Sequence, residues 1–287
     1  MTQHRETGRL MAVFAHPDDE SFACGGTLAH YANKGFTVTL VCATRGEAGE
    51  ISDASLATRD NLAEVREREL RNAADALGVT ELVLLDYRDS GMAGTPENGH
   101  PRAFGNAEPN EVVRELVGIV RRSRPHAVIT FDPNGGYGHP DHIAAHNHTT
   151  AAFHAAADPE MYPGLDTPWR PARLFYSVFS RGMFDKMKQG LASLGEDVSE
   201  FEEWESSSIL WEDEDIHAVI DVSGVADAKL KAWNCHQTQF GPDNPMRRVP
   251  EDLMSQIIGA ETFVLGSPDA VDGVRYDDLF DDMKLND

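Results

Sequence analysis

The chain has 287 residues, and its 48 acidic and 25 basic side chains give a formal net charge of −23. A charge this negative argues against nucleic acid and anionic membrane surfaces as partners, because both are bound through concentrations of Lys and Arg. The hydrophobic content of 41% is ordinary for a globular protein with a buried core, which excludes wholesale disorder.

Cysteine usage and the N-terminus indicate the compartment. Cys24, Cys42 and Cys235 are odd in number and show no C-x-x-C spacing, so they are interpreted as thiols in a reducing environment and not as a disulfide framework. The apolar run Leu10–Ala15 is too short for a secretory signal, and no later segment approaches the length of a membrane span. We therefore expect a cytoplasmic protein.

Short apolar runs alternate with amphipathic segments in the first half of the chain. Four runs have the length of strands buried on both faces, at Leu10–His16, Thr37–Thr44, Glu81–Tyr87 and Ala127–Asp132. Helical patterns follow them, at about Ser21–Lys34, Arg59–Leu77, Pro109–Arg122 and Pro140–Ala157. This alternation predicts βαβ units, and hence an α/β fold with a Rossmann-like parallel sheet and helices on both faces.

The second half of the chain is less regular. Apolar runs at Arg173–Phe179, Ala218–Val222 and Thr262–Leu265 are expected to extend the sheet or to build a small second layer. No repeat and no dividing linker are visible, so we predict a single domain over residues 1–287, with a core at 8–160 and a C-terminal extension at 161–287. The long Gly- and Pro-rich segment Arg88–Pro109 is typical of a lid or a binding loop.

A first polar motif, Ala15–Glu20 (AHPDDE), directly follows the first predicted strand. Ligands of parallel α/β sheets bind outside the carboxyl ends of the strands, which is where this motif lies. One histidine and three carboxylates within five residues suit a metal ion and a base. Pro17 fixes the turn so that His16 and Asp19 can face one point, while Asp18 can project separately.

A second motif, Asn134–His142 (NGGYGHPDH), follows the fourth predicted strand, so the two motifs can converge at one edge of the sheet. Pro140 fits the first turn of a helix, which places His142 near the helix start. His146 and His148 lie further along the same helix and are interpreted as structural or supporting residues. The alternative for both motifs is that they are capped helix starts whose acids favour the helix dipole.

Together the motifs resemble those of the LmbE-like, or PIG-L, family of zinc-dependent N-acetylglucosaminyl deacetylases. Arg88–Met92 (RDSGM) and Asp132–Gly138 (DPNGGYG) are similar to the branch that contains the mycothiol-biosynthesis deacetylase and the mycothiol S-conjugate amidase, and the continuous likeness extends to about Ala155. The resemblance implies a hydrolase that removes the acetyl group from a small GlcNAc-inositol-like or GlcNAc-malate-like conjugate. It also implies Zn²⁺ as the cofactor.

The resemblance further implies which side chains hold the metal and activate water. His16, Asp19 and His142 would bind the metal and leave a position open for water and substrate, as catalytic zinc sites require. Asp18 would be the general base that takes a proton from the attacking water and later delivers it to the leaving amine.

The remaining implied residues act on the substrate. His139 and Tyr137 would stabilise the oxyanion of the tetrahedral intermediate, with Asp141 as the partner that orients His139. Arg66 and Asp89 match positions that bind hydroxyl groups of the inositol or the sugar.

The residues leave alternatives open for these two positions. Arg66 could instead form an exposed helix pair with Glu69, and Asp89 could be a turn residue that bonds its own backbone. The segment Lys229–Phe240 resembles the C-terminal helix of the family, and His236 within it is expected to pack or to cap.

Other functions also stay open. An amidase acting on thiol S-conjugates would use the same zinc chemistry, although amidase members carry a lysine where this chain has Ser21–Gly26 (SFACGG). A nucleotide-binding module would need Gly-x-Gly-x-x-Gly after the first strand, which is absent there. A non-catalytic metal scaffold, ferrous iron in the same ligands and a homo-oligomer are also compatible with the sequence.

Overall fold

A computed structural model describes residues 7–195, 197–199, 209–241, 244, 249, 254, 257–271, 273–283 and 285. Within them the strands are β1 (Arg9–Phe14), β2 (Thr37–Cys42), β3 (Glu81–Leu84), β4 (Ala127–Phe131), β5 (Arg173–Ser180), β6 (Leu210–Trp211), β7 (Ala218–Asp221) and β8 (Ala260–Ser267). The helices are α1 (Asp19–Asn33), α2 (Leu62–Leu77), α3 (Pro109–Ser123), α4 (Gly135–Gly138), α5 (Pro140–Ala155), α6 (Arg181–Ser193) and α7 (Ala226–Cys235). Short 3₁₀ turns cover Pro96–Gly99, Phe104–Asn106, Asp213–Asp215 and Ser223–Val225.

The strands form one sheet in the order β3-β2-β1-β4-β5-β8-β7, with the short β6 beside β5. Strands β1 to β5 are parallel, which confirms the predicted parallel sheet for the first half of the chain. The later runs extend the same sheet, but β8 pairs antiparallel with β5, and β7 pairs antiparallel with β8. The sheet is therefore mixed, with its antiparallel strands at one edge.

The middle of the sheet is the most deeply buried part of the fold. All of β4, and all of β1 and β2 except their first residues, are buried, as expected for strands covered on both faces. Helices α1, α2 and α7 contact one another, and α3 contacts α5. Because the chain order reverses at β1, right-handed crossovers place these two groups of helices on opposite faces.

Strands from residues 161–287 continue the sheet that residues 8–160 begin. We propose on this basis that the two segments form a single domain. Among the described residues, no helix is both long and apolar enough to cross a membrane.

Candidate active site

The site lies where the chain order of the sheet reverses. Strands β1 and β4 are neighbours, and the connections that follow them leave toward opposite sides, which opens a crevice at their carboxyl ends. The first motif follows β1 and the second follows β4, so both lie in this crevice.

The three side chains expected to bind a metal converge there. His16 Nδ1 lies 3.2 Å from His142 Nε2 and 3.5 Å from Asp19 Oδ2. His142 Nε2 lies 3.3 Å from Asp19 Oδ1. Each of the three side chains is at most 10% exposed. The structure therefore brings these residues together as a buried triangle of nitrogen and oxygen atoms.

The hydrogen bonds at the far side of each imidazole show that this triangle fits a cation. His142 Nδ1 lies 3.1 Å from the carbonyl oxygen of Gly135, and His16 Nε2 lies 3.2 Å from Asp141 Oδ2. These contacts assign the ring protons to His142 Nδ1 and His16 Nε2, because only N–H groups can donate to such acceptors. The opposite nitrogens then face each other as lone pairs beside a carboxylate, an arrangement that a bound divalent cation stabilises.

A second grouping, His16, His139 and His142, also has nitrogens close enough for one ion. His139 Nδ1, however, accepts a hydrogen bond of 3.1 Å from the backbone N–H of Asp141. The ring proton of a neutral His139 is therefore on Nε2, which makes this nitrogen a donor and not a metal ligand. The tautomers favour Asp19 over His139 as the third ligand.

Charge in the site is concentrated around the histidines. Burial lowers the pKa of His16, but the charge of Asp89 and the hydrogen bonds of the ring to the carboxylates of Asp141 and Asp19 outweigh burial and raise this pKa well above its usual value. Burial raises the pKa of Asp19, and the adjacent His142 and His16 bring it well below the ordinary range. The protein thus holds its acidic groups ionised around the triangle, which suits a dication.

The Asp18 carboxylate is a separate group in the same cleft, where it contacts Arg66. The backbone of Asp18 has φ +122°, a conformation that L side chains rarely adopt and that costs about 1–3 kcal/mol. Two contacts hold it: its N–H donates to Glu20 Oε2 at 3.0 Å, and Arg66 Nη2 donates to its Oδ2 at 3.0 Å. Burial raises the pKa of Asp18 to about 6, although Arg66 opposes the shift. A carboxylate of this basicity suits a general base near neutral pH.

Glu20 supports the Asp18 loop through a contact across the fold. His236, at the end of α7, lies with Nε2 2.7 Å from Glu20 Oε1, and both side chains are almost fully buried. His236 is expected from the sequence to pack or to cap, and the structure adds this charge-assisted bond. The two residues are 216 positions apart, so no local pattern could have paired them.

The carboxylate of Asp141 contacts Ser90 and His16. Its carboxylate accepts hydrogen bonds from Ser90 N at 2.9 Å and Ser90 Oγ at 2.5 Å, and it also contacts the Nε2 of His16. Asp141 contacts His139 through its backbone N–H, which donates to His139 Nδ1 at 3.1 Å, and the role of Asp141 in orienting that ring stays a prediction. His139 is the N-cap of α5, and an N-cap side chain bonds a backbone N–H of the first turn.

His139 and Tyr137 lie beside the triangle. The His139 ring centroid is 4.6 Å from that of His16 and 5.1 Å from that of His142. Burial and the adjacent imidazoles of His16 and His142 lower the pKa of His139 to about 4, which keeps its ring neutral and its Nε2–H available. Tyr137 is 52% exposed, with its ring centroid 5.0 Å from that of His142, so it lies at the mouth of the site.

Arg66 is buried, and the alternative of an exposed pair with Glu69 is wrong. Its Nη2 donates to the carbonyl of Pro17 at 2.6 Å, and its Nη1 donates to that of Gly46 at 2.8 Å. Glu69 instead accepts hydrogen bonds from Thr238. The guanidinium therefore braces the turn that carries the first motif.

Asp89 bonds within its own turn and also contacts His16, and its binding of substrate hydroxyl groups stays a prediction. Its Oδ1 accepts from the N–H of Gly91 at 2.8 Å, as a turn residue would. The same atom lies 3.4 Å from His16 Nε2, so the residue also belongs to the site. His146 and His148 instead contact the carbonyl of Phe131 and the ring of Phe104, away from the triangle.

Two cavities meet at the triangle. A polar cleft of about 860 Å³ is lined by His16, Asp18, Asp19, Glu47, Arg66, Asp89 and His139, among others. A smaller cavity of about 230 Å³ lies on the other side, and Asp19 and Tyr137 line both. The triangle is thus accessible from a charged side and from an apolar side.

The chain is similar in sequence to known de-N-acetylases. The family model for GlcNAc-PI de-N-acetylase, PIG-L, matches residues 11–153. A 1D-myo-inositol 2-acetamido-2-deoxy-alpha-D-glucopyranoside deacetylase from Rhodococcus erythropolis (strain PR4) is 42% identical over 95% of this chain and 96% of its own length. The chain belongs to the PIG-L family of de-N-acetylases.

Two solved structures of other proteins resemble the fold of this chain. The N,N'-diacetylchitobiose deacetylase from Pyrococcus horikoshii has a TM-score of 0.63 and 22% identity, with 90% of this chain and 83% of that chain covered. A 4-carboxy-2-hydroxymuconate hydratase from Pseudomonas putida KT2440 has a TM-score of 0.60 and 19% identity, with 93% and 99% covered. These likenesses establish the fold alone, so the reaction must be argued from the site.

Proposed function

We propose that this PIG-L family protein hydrolyses the acetamide of a small GlcNAc-inositol conjugate, with zinc held by His16, Asp19 and His142. One observation carries the proposal: two imidazole lone pairs and a carboxylate converge in a buried triangle, and a separate carboxylate, that of Asp18, stands beside them in the same cleft. The name of the Rhodococcus relative supports the GlcNAc-inositol substrate.

Zinc bound at the triangle would lower the pKa of a water molecule toward ~7 and polarise the acetamide carbonyl. Asp18 takes a proton from the attacking water and donates it to the amine nitrogen as the C–N bond breaks. The Arg66 guanidinium favours the ionised form of Asp18, while burial keeps its pKa high enough to accept a proton. Asp141 and the carbonyl of Gly135 hold the two ligand imidazoles in the required tautomers.

The Nε2–H of His139 is the donor best placed to stabilise the oxyanion, since its Nδ1 is already occupied by a backbone N–H. One such donor is typically worth about 10²–10³ in kcat. Tyr137, exposed at the mouth, supplies a second donor once substrate covers it. Arg66 and Asp89 line the polar cleft, where an uncharged polyol needs both donors and acceptors.

We place the reaction in the cytoplasm. Support comes from the cysteines: Cys24, Cys42 and Cys235 are all free, and the first two are buried.

The test is acetate release by the zinc-loaded protein from GlcNAc-inositol, from GlcNAc-malate and from a cysteinyl amide of a thiol S-conjugate. We expect stoichiometric acetate and glucosaminyl-inositol from the first substrate and the slowest turnover of the third. Preferential cleavage of the cysteinyl amide would replace the proposal with the amidase function. No acetate from any GlcNAc conjugate would refute it.

A further inference from the structure

The cavity of about 230 Å³ beside the metal triangle is lined mainly by apolar side chains. Its apolar walls come from α1, from the end of β4, from β5 and from the residue before β6: they are Phe22, Ala23, Phe131, Val178, Phe179 and Ile209. The rings of Phe22 and Phe179 pack at a centroid distance of 5.2 Å. The His142 ring stacks on Phe131 at 3.9 Å, so a metal-ligand imidazole rests directly against this wall.

Two of the polar residues that also line this cavity, Asp132 and Ser177, already have hydrogen-bond partners. Asp132 accepts from the N–H of Gly136 at 2.7 Å and from Trp211 Nε1 at 2.9 Å. The Ser177 hydroxyl donates to the carbonyl of Ala23 at 2.8 Å. Most of the wall is apolar, so a sugar hydroxyl placed against Phe22, Val178 or Phe179 would lose its bonds to water, which is unfavourable. The cavity therefore suits an apolar group and not the sugar.

The orientation of the substrate follows from the two cavities. The amide must lie at the triangle, and its polyhydroxylated amine half needs the charged cleft that Glu47, Arg66 and Asp89 line. The acyl half then extends across Asp19 toward the apolar side. A dry cavity of about 150 Å³ is large enough for benzene, so the methyl of an acetyl group leaves most of this larger space unfilled.

We propose that this cavity is the acyl pocket and that it admits unbranched N-acyl groups longer than acetyl, which makes the protein a short-chain N-deacylase. The inference rests on the proposed function and widens its substrate class. The reaction is the same hydrolysis: the water oxygen bonds to the acyl carbon, the C–N bond breaks, and the water proton goes to the amine. Propionyl and butyryl conjugates yield propionate and butyrate in place of acetate.

The test compares acetyl, propionyl and butyryl forms of the same glucosaminyl-inositol with the zinc-loaded full chain. Each buried methylene is worth about a fourfold gain in binding. We therefore expect kcat/KM for the butyryl form to equal or exceed that for the acetyl form, by up to about tenfold. Turnover of the acetyl form with propionyl and butyryl forms more than 100-fold slower would overturn this inference alone. Absence of acetyl turnover would overturn the proposed function and this inference with it.

Ala23→Leu fills the cavity and should lower the butyryl-to-acetyl ratio of kcat/KM at least tenfold. Ala151→Leu adds the same bulk at an exposed position of α5 and should leave the ratio unchanged. An unchanged ratio in folded Ala23→Leu would overturn the assignment of the pocket.

A binding measurement does not depend on turnover or on that variant. In calorimetry with the wild-type zinc-loaded protein, butyrate should bind at least threefold more tightly than acetate. Equal or weaker binding of butyrate would overturn the inference.

Discussion

Replacing Asp18 by asparagine separates the base from the metal ligands. The variant keeps the size of the side chain, and the amide oxygen can still accept from Arg66 Nη2, which lies 3.0 Å from the present Oδ2. It removes the negative charge of the side chain and with it the ability to take a proton. Because Asp18 is outside the triangle of His16, Asp19 and His142, zinc content should stay at the wild-type value.

The size of the effect follows from what the carboxylate does. A positioned general base contributes about 10²–10⁴ to the rate, so kcat should fall by that factor, which corresponds to about 3–5 kcal/mol of barrier. KM should change little, since the cleft around Asp89 and Arg66 is intact.

The assay is steady-state acetate release, paired with metal analysis on the same preparations. Asp19→Asn is the matched control, because the same chemical change at the adjacent ligand should lower zinc content together with activity. Near-normal turnover by Asp18→Asn would refute its role as the base. Loss of zinc from Asp18→Asn would show that it is a ligand and that the triangle is wrongly assigned.

Three further substitutions test a neighbour of the triangle, a residue that supports the Asp18 loop and a buried ion pair. Asp141→Asn should weaken zinc binding about 10–100-fold in a chelator competition, because the Asp141 carboxylate bonds the imidazole of His16. An unchanged zinc affinity would show that this bond has no effect on the metal. His236→Ala should lower kcat about 10–100-fold at nearly constant KM, because His236 supports the loop that carries Asp18. His236→Gln should restore part of the activity. A parallel change of KM, or no rescue, would argue against a role of His236 in positioning Asp18. Lys229→Ala should lower the free energy of unfolding by about 3–5 kcal/mol in a urea titration, because it removes the cation beside the buried Glu261 and leaves only the backbone N–H groups of Gly26 and Thr27 as its partners. Truncation of the exposed Arg71 should cost less than about 1 kcal/mol, and similar losses for the two variants would contradict the burial argument.

The strands and the position of the site could be predicted because they depend on local patterns. Apolar runs such as Leu10–His16 and Ala127–Asp132 have strand length, and the helical segments between the first strands require parallel pairing. Polar motifs directly after two such strands must lie at the same edge of the sheet. The direction of β7 and β8 could not be predicted, because an isolated apolar run carries no information about the strand beside which it pairs.

The directions of side chains also could not be predicted from the sequence. The i, i+3 spacing of Arg66 and Glu69 is typical of an exposed helix pair, yet the carbonyls of Pro17 and Gly46 surround the guanidinium in the folded chain. Asp141 is two residues from His139, yet its carboxylate points to Ser90 and the metal triangle instead. Such contacts depend on tertiary packing, which the spacing of residues along the sequence does not determine.

A zinc titration of the metal-free protein, with acetate release from GlcNAc-inositol measured at each step, tests the central claim most directly. If His16, Asp19 and His142 form the catalytic metal site, activity should rise linearly and stop rising at one equivalent per chain. The His142→Ala variant should neither bind that equivalent tightly nor gain activity. Acetate release by the metal-free protein, or full activity of His142→Ala, would contradict the account.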